Sequence, residues 1–278
     1  MPLAFDQVTF AYPARKPGER PVLRGLSFAL EPASVACLVG LNASGKSTIL
    51  RLATGFLRPD HGRVTLDDAP VHTLAPRDRS ARLAYVPQRA TLAFPFTVRE
   101  SVAFGRHGRA PAPHAVQAAL ERVDLADRAD DPFHVLSVGQ QQRATLARAL
   151  AQVWADHHAP SSPPVILADE PCSAMDPAHA LGAFETFAEL AREGAAVLLV
   201  VHDLSAAARV ADRVLVLDQS GSLAADDAPA RAMTDPVLES VFRARFDRVA
   251  APDGRLVSLT PVARLEPIDS LGTPRDHA

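Results

Sequence analysis

Residues 3–12, LAFDQVTFAY, alternate apolar and polar positions, the period of a half-buried strand. A polar turn with two prolines and a glycine follows over 14–21. VLRGLSFAL (22–30) predicts a second strand, and SVACLVG (34–40), more continuously apolar, a third and more buried one. A helix is predicted from Gly45 to Gly55 through KSTILRLATG. Short strands are then predicted over GRVTLDD (62–68) and RLAYVPQ (82–88). From about 97 to 154 the period is helical, and Leu146, Ala147, Leu150, Val153 and Trp154 form one apolar stripe. DHHAPSSPP (156–164) breaks it as a surface loop.

VILAD (165–169), AAVLLVV (195–201) and RVLVLDQ (213–219) predict buried parallel strands, separated by helices over 177–193 and 204–212. In the first of these helices Leu181, Phe184, Phe187, Ala188 and Ala191 are expected on the core face. This β–α–β–α–β order implies an α/β core with a parallel sheet, into which the 97–154 block is inserted. The pattern weakens after about 248, and fraying is expected over 265–278.

Composition narrows the function. The 278 residues suffice for a large core, and a net charge of -3 gives no basic footprint for nucleic acid. Cys37 and Cys172 sit in apolar stretches without framework spacing, which fits two buried thiols in a reducing compartment. The N-terminus reads as a strand rather than a secretory signal, and the longest apolar run is too short to cross a bilayer. Any membrane role must then come through a partner. Only Lys16 and Lys46 are lysines against 27 arginines. A position that keeps lysine in such a chain points to a need for the compact ammonium.

That position lies in GLNASGKST (40–48), a G-x-x-x-x-G-K-[ST] loop between a buried strand and a helix. Such a loop turns its N–H groups inward as an anion nest backed by the helix dipole. Gly40, Asn42, Ala43, Ser44, Gly45, Lys46, Ser47 and Thr48 are therefore assigned to a nucleotide triphosphate, with Lys46 on the β- and γ-phosphates and Ser47 on Mg²⁺. Asp169 ends a buried strand and is a second metal ligand; Glu170, one residue on, is placed to polarise the attacking water. His202 and Gln88 close neighbouring strands, at the edge where open α/β sheets hold ligands. His202 is expected to hydrogen-bond the γ-phosphate and the attacking water, and Gln88 to sense metal and γ-phosphate.

These motifs, with LSVGQQQR (136–143) opening a helix in the insertion, resemble the nucleotide-binding subunit of ABC transporters over roughly residues 3–246. The resemblance implies a P-loop NTPase core of this family, with an antiparallel β subdomain and an α-helical subdomain inserted at about 89–160. Residues 247–278 are left as a C-terminal extension, partly disordered. It further implies ATP and Mg²⁺ as ligands and a head-to-tail homodimer. Ser137, Gly139 and Gln140 would reach the γ-phosphate held by the other copy. Asp176 of SAMD (173–176) resembles the residue that faces the partner's site, and Tyr12 the ring that stacks on adenine.

Three positions depart from the family pattern: Val138 in place of the signature's first glycine, Ala43 in place of a loop glycine, and Ala168 before Asp169. Ala43 is expected to be tolerated if its φ is negative. LAFPFTVRESVAFGR (92–106), DPAHA and VVHDLSAAARVADRVLVL resemble the importer subgroup serving haem, siderophores and cobalamin, and within it the subunits that energise hemin import. Transmembrane permease subunits, a periplasmic or surface substrate-binding protein and the cytoplasmic face of the inner membrane follow from that resemblance, as does the absence of nucleic acid among the partners. A soluble ATPase outside transport and a non-hydrolysing regulatory module are the alternatives. His157 and His158 are read as solvated loop residues. Phe94, Pro95 and Phe96 fit either a groove for a permease helix or a core-facing aromatic pair.

Overall fold

The computed structural model describes residues 2–13, 20–89, 92–107, 111–153 and 163–265. Trp154 and the 155–162 part of the proline-rich loop, with His157 and His158, lie outside them, as do residues 266–278.

The chain opens with β1 (Leu3–Phe10), β2 (Leu23–Leu30) and β3 (Ser34–Gly40), then α1 (Lys46–Ala53), β4 (His61–Leu66) and β5 (Ala69–Pro70). A short α2 (Pro76–Ser80) leads to β6 (Leu83–Val86), and the helical insertion carries α3 (Val98–Ala103), α4 (Pro113–Arg122) and α5 (Val138–Val153). The core resumes with β7 (Val165–Asp169), α6 (Pro177–Arg192), β8 (Ala196–Val200), α7 (Leu204–Val210), β9 (Arg213–Leu217) and β10 (Leu223–Asp227). It ends with α8 (Pro229–Ala232), α9 (Asp235–Phe242), β11 (Ala244–Ala250) and β12 (Leu256–Arg264).

Among the described residues these strands form three sheets. The central one has the order β10-β9-β3-β8-β7-β6, and the smaller ones β2-β1-β4-β5 and β11-β12. In the central sheet β9, β3, β8, β7 and β6 run parallel, with β10 antiparallel at one edge. β7 and β8 are buried at every position, which is why their sequences are continuous apolar runs rather than alternations. The four-stranded sheet is antiparallel throughout and shares a core with α1 and one face of the central sheet. The other face packs on α5, α6 and α7. α3 is fixed by a capping box: Thr97 accepts from the Glu100 N–H, and the Glu100 carboxylate accepts from the Thr97 N–H.

Two expectations are corrected. Leu181 was placed on the core face of α6, but it is 59% exposed; Ala183, Phe187, Leu190 and Ala191 fill that face, with Phe184 packed against its margin. The buried stripe runs through Ala183, Thr186, Phe187, Leu190 and Ala191, a helical phase that leaves Leu181 on the outer face. The weak pattern after 248 hides an ordered hairpin, β11–β12, which straddles the boundary drawn at 246/247. β11 is mostly exposed, so it lacks an apolar alternation, whereas Leu256 and Leu259 of β12 are buried. β12 lies on α7: the Ser205 hydroxyl accepts from the Leu259 N–H at 2.9 Å and donates to the Leu259 carbonyl at 3.2 Å.

Candidate active site

The parallel order places β3, β8 and β7 side by side, with Leu38 and Asp169 both opposite Val200. Their C-terminal ends therefore deliver the phosphate loop, His202 and the Asp169–Glu170 pair to one crevice, and β6, beside β7, brings Gln88.

The loop itself is tightly built. Gly45 precedes α1 at φ +111°, and a Cβ there would lie 2.8 Å from the Leu23 side chain, so only glycine fits. Lys46 is buried, and its ammonium donates to the Gly40 and Leu41 carbonyls at 2.8 Å each. Burial lowers its pKa, opposed by the charges of Glu170 and Asp169. Ala43 has φ +62°, so the condition set for its tolerance is not met. An alanine in the left-handed region stores roughly 1–2 kcal/mol of backbone strain. Asn42 is exposed beside it. Ser44 is buried, and its hydroxyl has no hydrogen-bond partner. An orphaned buried hydroxyl inside an anion nest fits a phosphate oxygen.

Ser47 Oγ donates to Asp169 Oδ2 at 3.3 Å, so two of the three expected metal ligands meet, while the third, Gln88, has its amide on Glu170. Burial raises the Asp169 pKa, as does Glu170, while Ser47, Lys46 and His202 pull it down. A hydroxyl beside a crowded carboxylate suits a hard divalent cation, whose oxygen-rich shell and charge would relieve that crowding. Tyr12 contacts Thr48 through its hydroxyl, 3.2 Å from Thr48 Oγ1, receives a bond from Arg51 and stands edge-on to Phe10.

Glu170 is held at both oxygens. Gln88 Nε2 donates to Oε2 at 2.7 Å, and His202 Nε2 bonds Oε1. Its backbone sits at φ +47°, and its N–H donates to the Val200 carbonyl at 3.0 Å. A glutamate in that region is strained, and such strain persists where the surroundings fix the residue.

Ser137, Gly139, Gln140 and Asp176 line a different cleft of about 220 Å³ with Arg143, Ala174, Met175 and His179. Ser137 and Gln140 form the reciprocal cap of α5: Gln140 Oε1 accepts from the Ser137 N–H at 2.9 Å, and Ser137 Oγ accepts from the Gln140 N–H at 3.3 Å. The hydroxyl proton of Ser137 remains free for an anion. A Cβ on Gly139 would lie 2.6 Å from the Ala174 carbonyl, so this glycine lets α5 approach the 173–176 loop. Asp176 caps α6, accepting from the Ala178 and His179 N–H groups at 3.1 Å each, and pairs with the His179 ring. These bonds lower its pKa, the His179 N–H first. Val138 is 57% exposed at the rim.

Sequence reasoning missed Gln142. It is buried, and its amide nitrogen donates to the Gln88 carbonyl at 3.2 Å and to Ser173 Oγ at 3.0 Å. Its oxygen accepts from the Ala174 N–H at 3.0 Å. The signal was available: a glutamine in the apolar register of α5, between Gly139 and Ala144, must find buried partners.

A strand-to-helix phosphate loop, paired with a strand-end carboxylate on a parallel sheet, defines a P-loop nucleoside-triphosphate site. The family model for ABC transporters matches residues 23–173, and the chain belongs to that family and binds ATP. It is 41% identical, over 82% of its length and 85% of the relative's, to a hemin import ATP-binding protein of Rhodopseudomonas palustris (strain BisA53). A protein of the same description from Nocardia farcinica is 40% identical, over 81% of this chain and 76% of the relative. Among solved structures, a dimeric ATP-binding cassette captured after hydrolysis with ADP and Pi superposes with a TM-score of 0.71 at 25% identity, covering 82% of this chain and 98% of that one.

Proposed function

We propose that this chain is the ATP-hydrolysing subunit of a membrane importer for haem or a related iron chelate, acting as a homodimer with Mg²⁺. The observation that carries the reading is Glu170, pinned between Gln88 and His202 at the strand end next to Lys46 and Asp169. A fixed carboxylate beside a phosphate cradle is a general base for water. Lys46 and the loop N–H groups spread charge that develops on the γ-phosphoryl oxygens. His202, already on Glu170, orients the same water. Ser47 and Asp169 are the residues that would hold Mg²⁺; when bound, it neutralises phosphate charge.

Among the described residues, Ser137, Gly139, Gln140 and Asp176 make no hydrogen bond to residues 40–48. The Ser137 hydroxyl proton and the exposed tip of α5 are left for the nucleotide of a second copy, and two copies related by a two-fold axis would complete two sites. The cargo class rests on the hemin import relatives.

The described residues contain no helix long and apolar enough to cross a membrane, so transport requires permease subunits. A groove lined by Arg51, Arg79, Arg148, Phe56 and Phe104 offers them a surface. Phe56 is 78% and Phe94 69% exposed, while Phe96 stacks edge-on against Phe104 at 4.8 Å. The chain would then sit on the cytoplasmic face of the inner membrane. A periplasmic or surface substrate-binding protein would deliver cargo from the other side.

The test is steady-state ATPase activity of the chain alone and with its co-purified permease in vesicles loaded with Mg²⁺ and ATP. Hydrolysis stimulated by the permease, with haem accumulating on the far side from the binding protein, is expected. Hydrolysis without transport of haem or any iron chelate would overturn the cargo, and absence of hydrolysis in both states the enzyme.

A further inference from the structure

The Gln142 amide touches three segments of the site at once. It lies on α5, one turn beyond Gly139. Its nitrogen reaches the backbone carbonyl of Gln88, whose side chain holds Glu170, and the hydroxyl of Ser173. Its oxygen holds the Ala174 N–H, in the loop that leads to Asp176. The Glu170 carbonyl lies at 3.5 Å, a weaker contact of the same nitrogen. The residue is only 5% exposed, so water does not replace these partners when one is lost.

We infer that Gln142 is a positioning residue for hydrolysis: it locks Gln88, and through it the Glu170 carboxylate, to the start of the signature helix and the Asp176 loop. An unassisted Gln88 backbone could swing with its strand end, because β6 ends at Val86 and Gln88 lies two residues beyond. The Gln142 bond removes that freedom. Because the same amide also fixes Ala174, a movement of α5 toward a second copy is transmitted to Glu170 and Asp176 together. The arrangement thus links occupancy of the Ser137–Gly139 tip to alignment of the base in the same chain. A packing role alone would predict that an apolar side chain of equal size serves as well.

This inference rests on the ATPase reading, and the experiment separates the two. Gln142→Met fills the volume without hydrogen bonds, and Gln142→Glu keeps an acceptor for Ala174 but not the donor to Gln88. Full-length chains are compared in MgATP turnover, nucleotide affinity by calorimetry, melting temperature, and amide exchange of segments 86–89 and 172–176. Gln142→Met should lower kcat about tenfold or more, the loss of roughly one buried hydrogen bond's worth of alignment, with KM for ATP within about twofold. Exchange at both segments should speed up in Gln142→Met, and in Gln142→Glu at 86–89 more than at 172–176. Wild-type kcat in both variants, or a loss that disappears when the assay is moved well below the melting temperature, would overturn the inference. A wild-type chain that binds ATP without turning it over would overturn the ATPase reading instead; unchanged exchange at 86–89 in Gln142→Met would then still refute the lock.

Discussion

Gln88 and His202 hold the two oxygens of one carboxylate, Glu170, from beyond the C-terminal ends of the strands on either side of β7; the Gln88 bond is 2.7 Å long. Both neighbours are side chains of the same chain, so the Glu170 carboxylate is aimed by the fold itself. Aim set by the fold is what electrostatic preorganisation requires, since little reorganisation is then left for the moment of reaction.

Glu170→Gln keeps the size and the hydrogen-bonding reach of the side chain but removes its basicity. Turnover should fall by about two orders of magnitude or more, the usual worth of a general base. ATP affinity should be unchanged, and gel filtration with MgATP should show a persistent dimer. A variant that remains monomeric with bound ATP contradicts the pairing of two copies.

Lys46→Arg tests whether charge alone suffices in the cradle. The ammonium fits between two carbonyls in a buried slot, where a planar fork cannot make the same bonds. Nucleotide affinity should drop at least about tenfold, in line with a charged hydrogen bond of roughly 1.5–3 kcal/mol. Calorimetry with ATP checks it.

Ala43→Gly should stabilise the protein, against the ordinary cost of glycine. Relief of left-handed strain at φ +62° exceeds the added entropy of the unfolded chain, for a net gain of about 0.5–1 kcal/mol. Thermal melts should rise by about 1–3 °C.

The Cys172 thiol is pushed up to about 12 by burial, so its thiolate is scarce at neutral pH. A thiol whose pKa is raised on folding costs nothing below its unfolded value; stability falls only as pH rises beyond that value. At pH 8, alkylation by iodoacetamide should be slower in the native chain than in urea by about two orders of magnitude or more. Mass spectrometry of the 165–176 peptide reads the outcome.

The motif-bearing ends of the parallel strands were legible because a buried strand has only one local signature, a continuous apolar run, and Asp169 and His202 stand at or just beyond the ends of two such runs. Lys46, Ser47, Asp169, Glu170, Gln88 and His202 could thus be assigned to one crevice before any contact was known. What was not legible lies one step further out. The sign of φ at Ala43 is set by how the loop closes, which no local pattern encodes. Gln142 was passed over although it falls in the apolar register of α5, because its worth comes from partners 31 to 54 positions away. The hairpin of β11 and β12 escaped because one of its strands faces water almost entirely, so burial wrote nothing into its sequence.

That hairpin also sets an order of manufacture. Leu256 and Leu259 close over the helix that begins two residues after His202. That side of α7 therefore stays uncovered until Leu259 has emerged from the ribosome. A message cut short, or a product clipped near Arg255, leaves an oily flank beside the histidine for quality-control proteases to find.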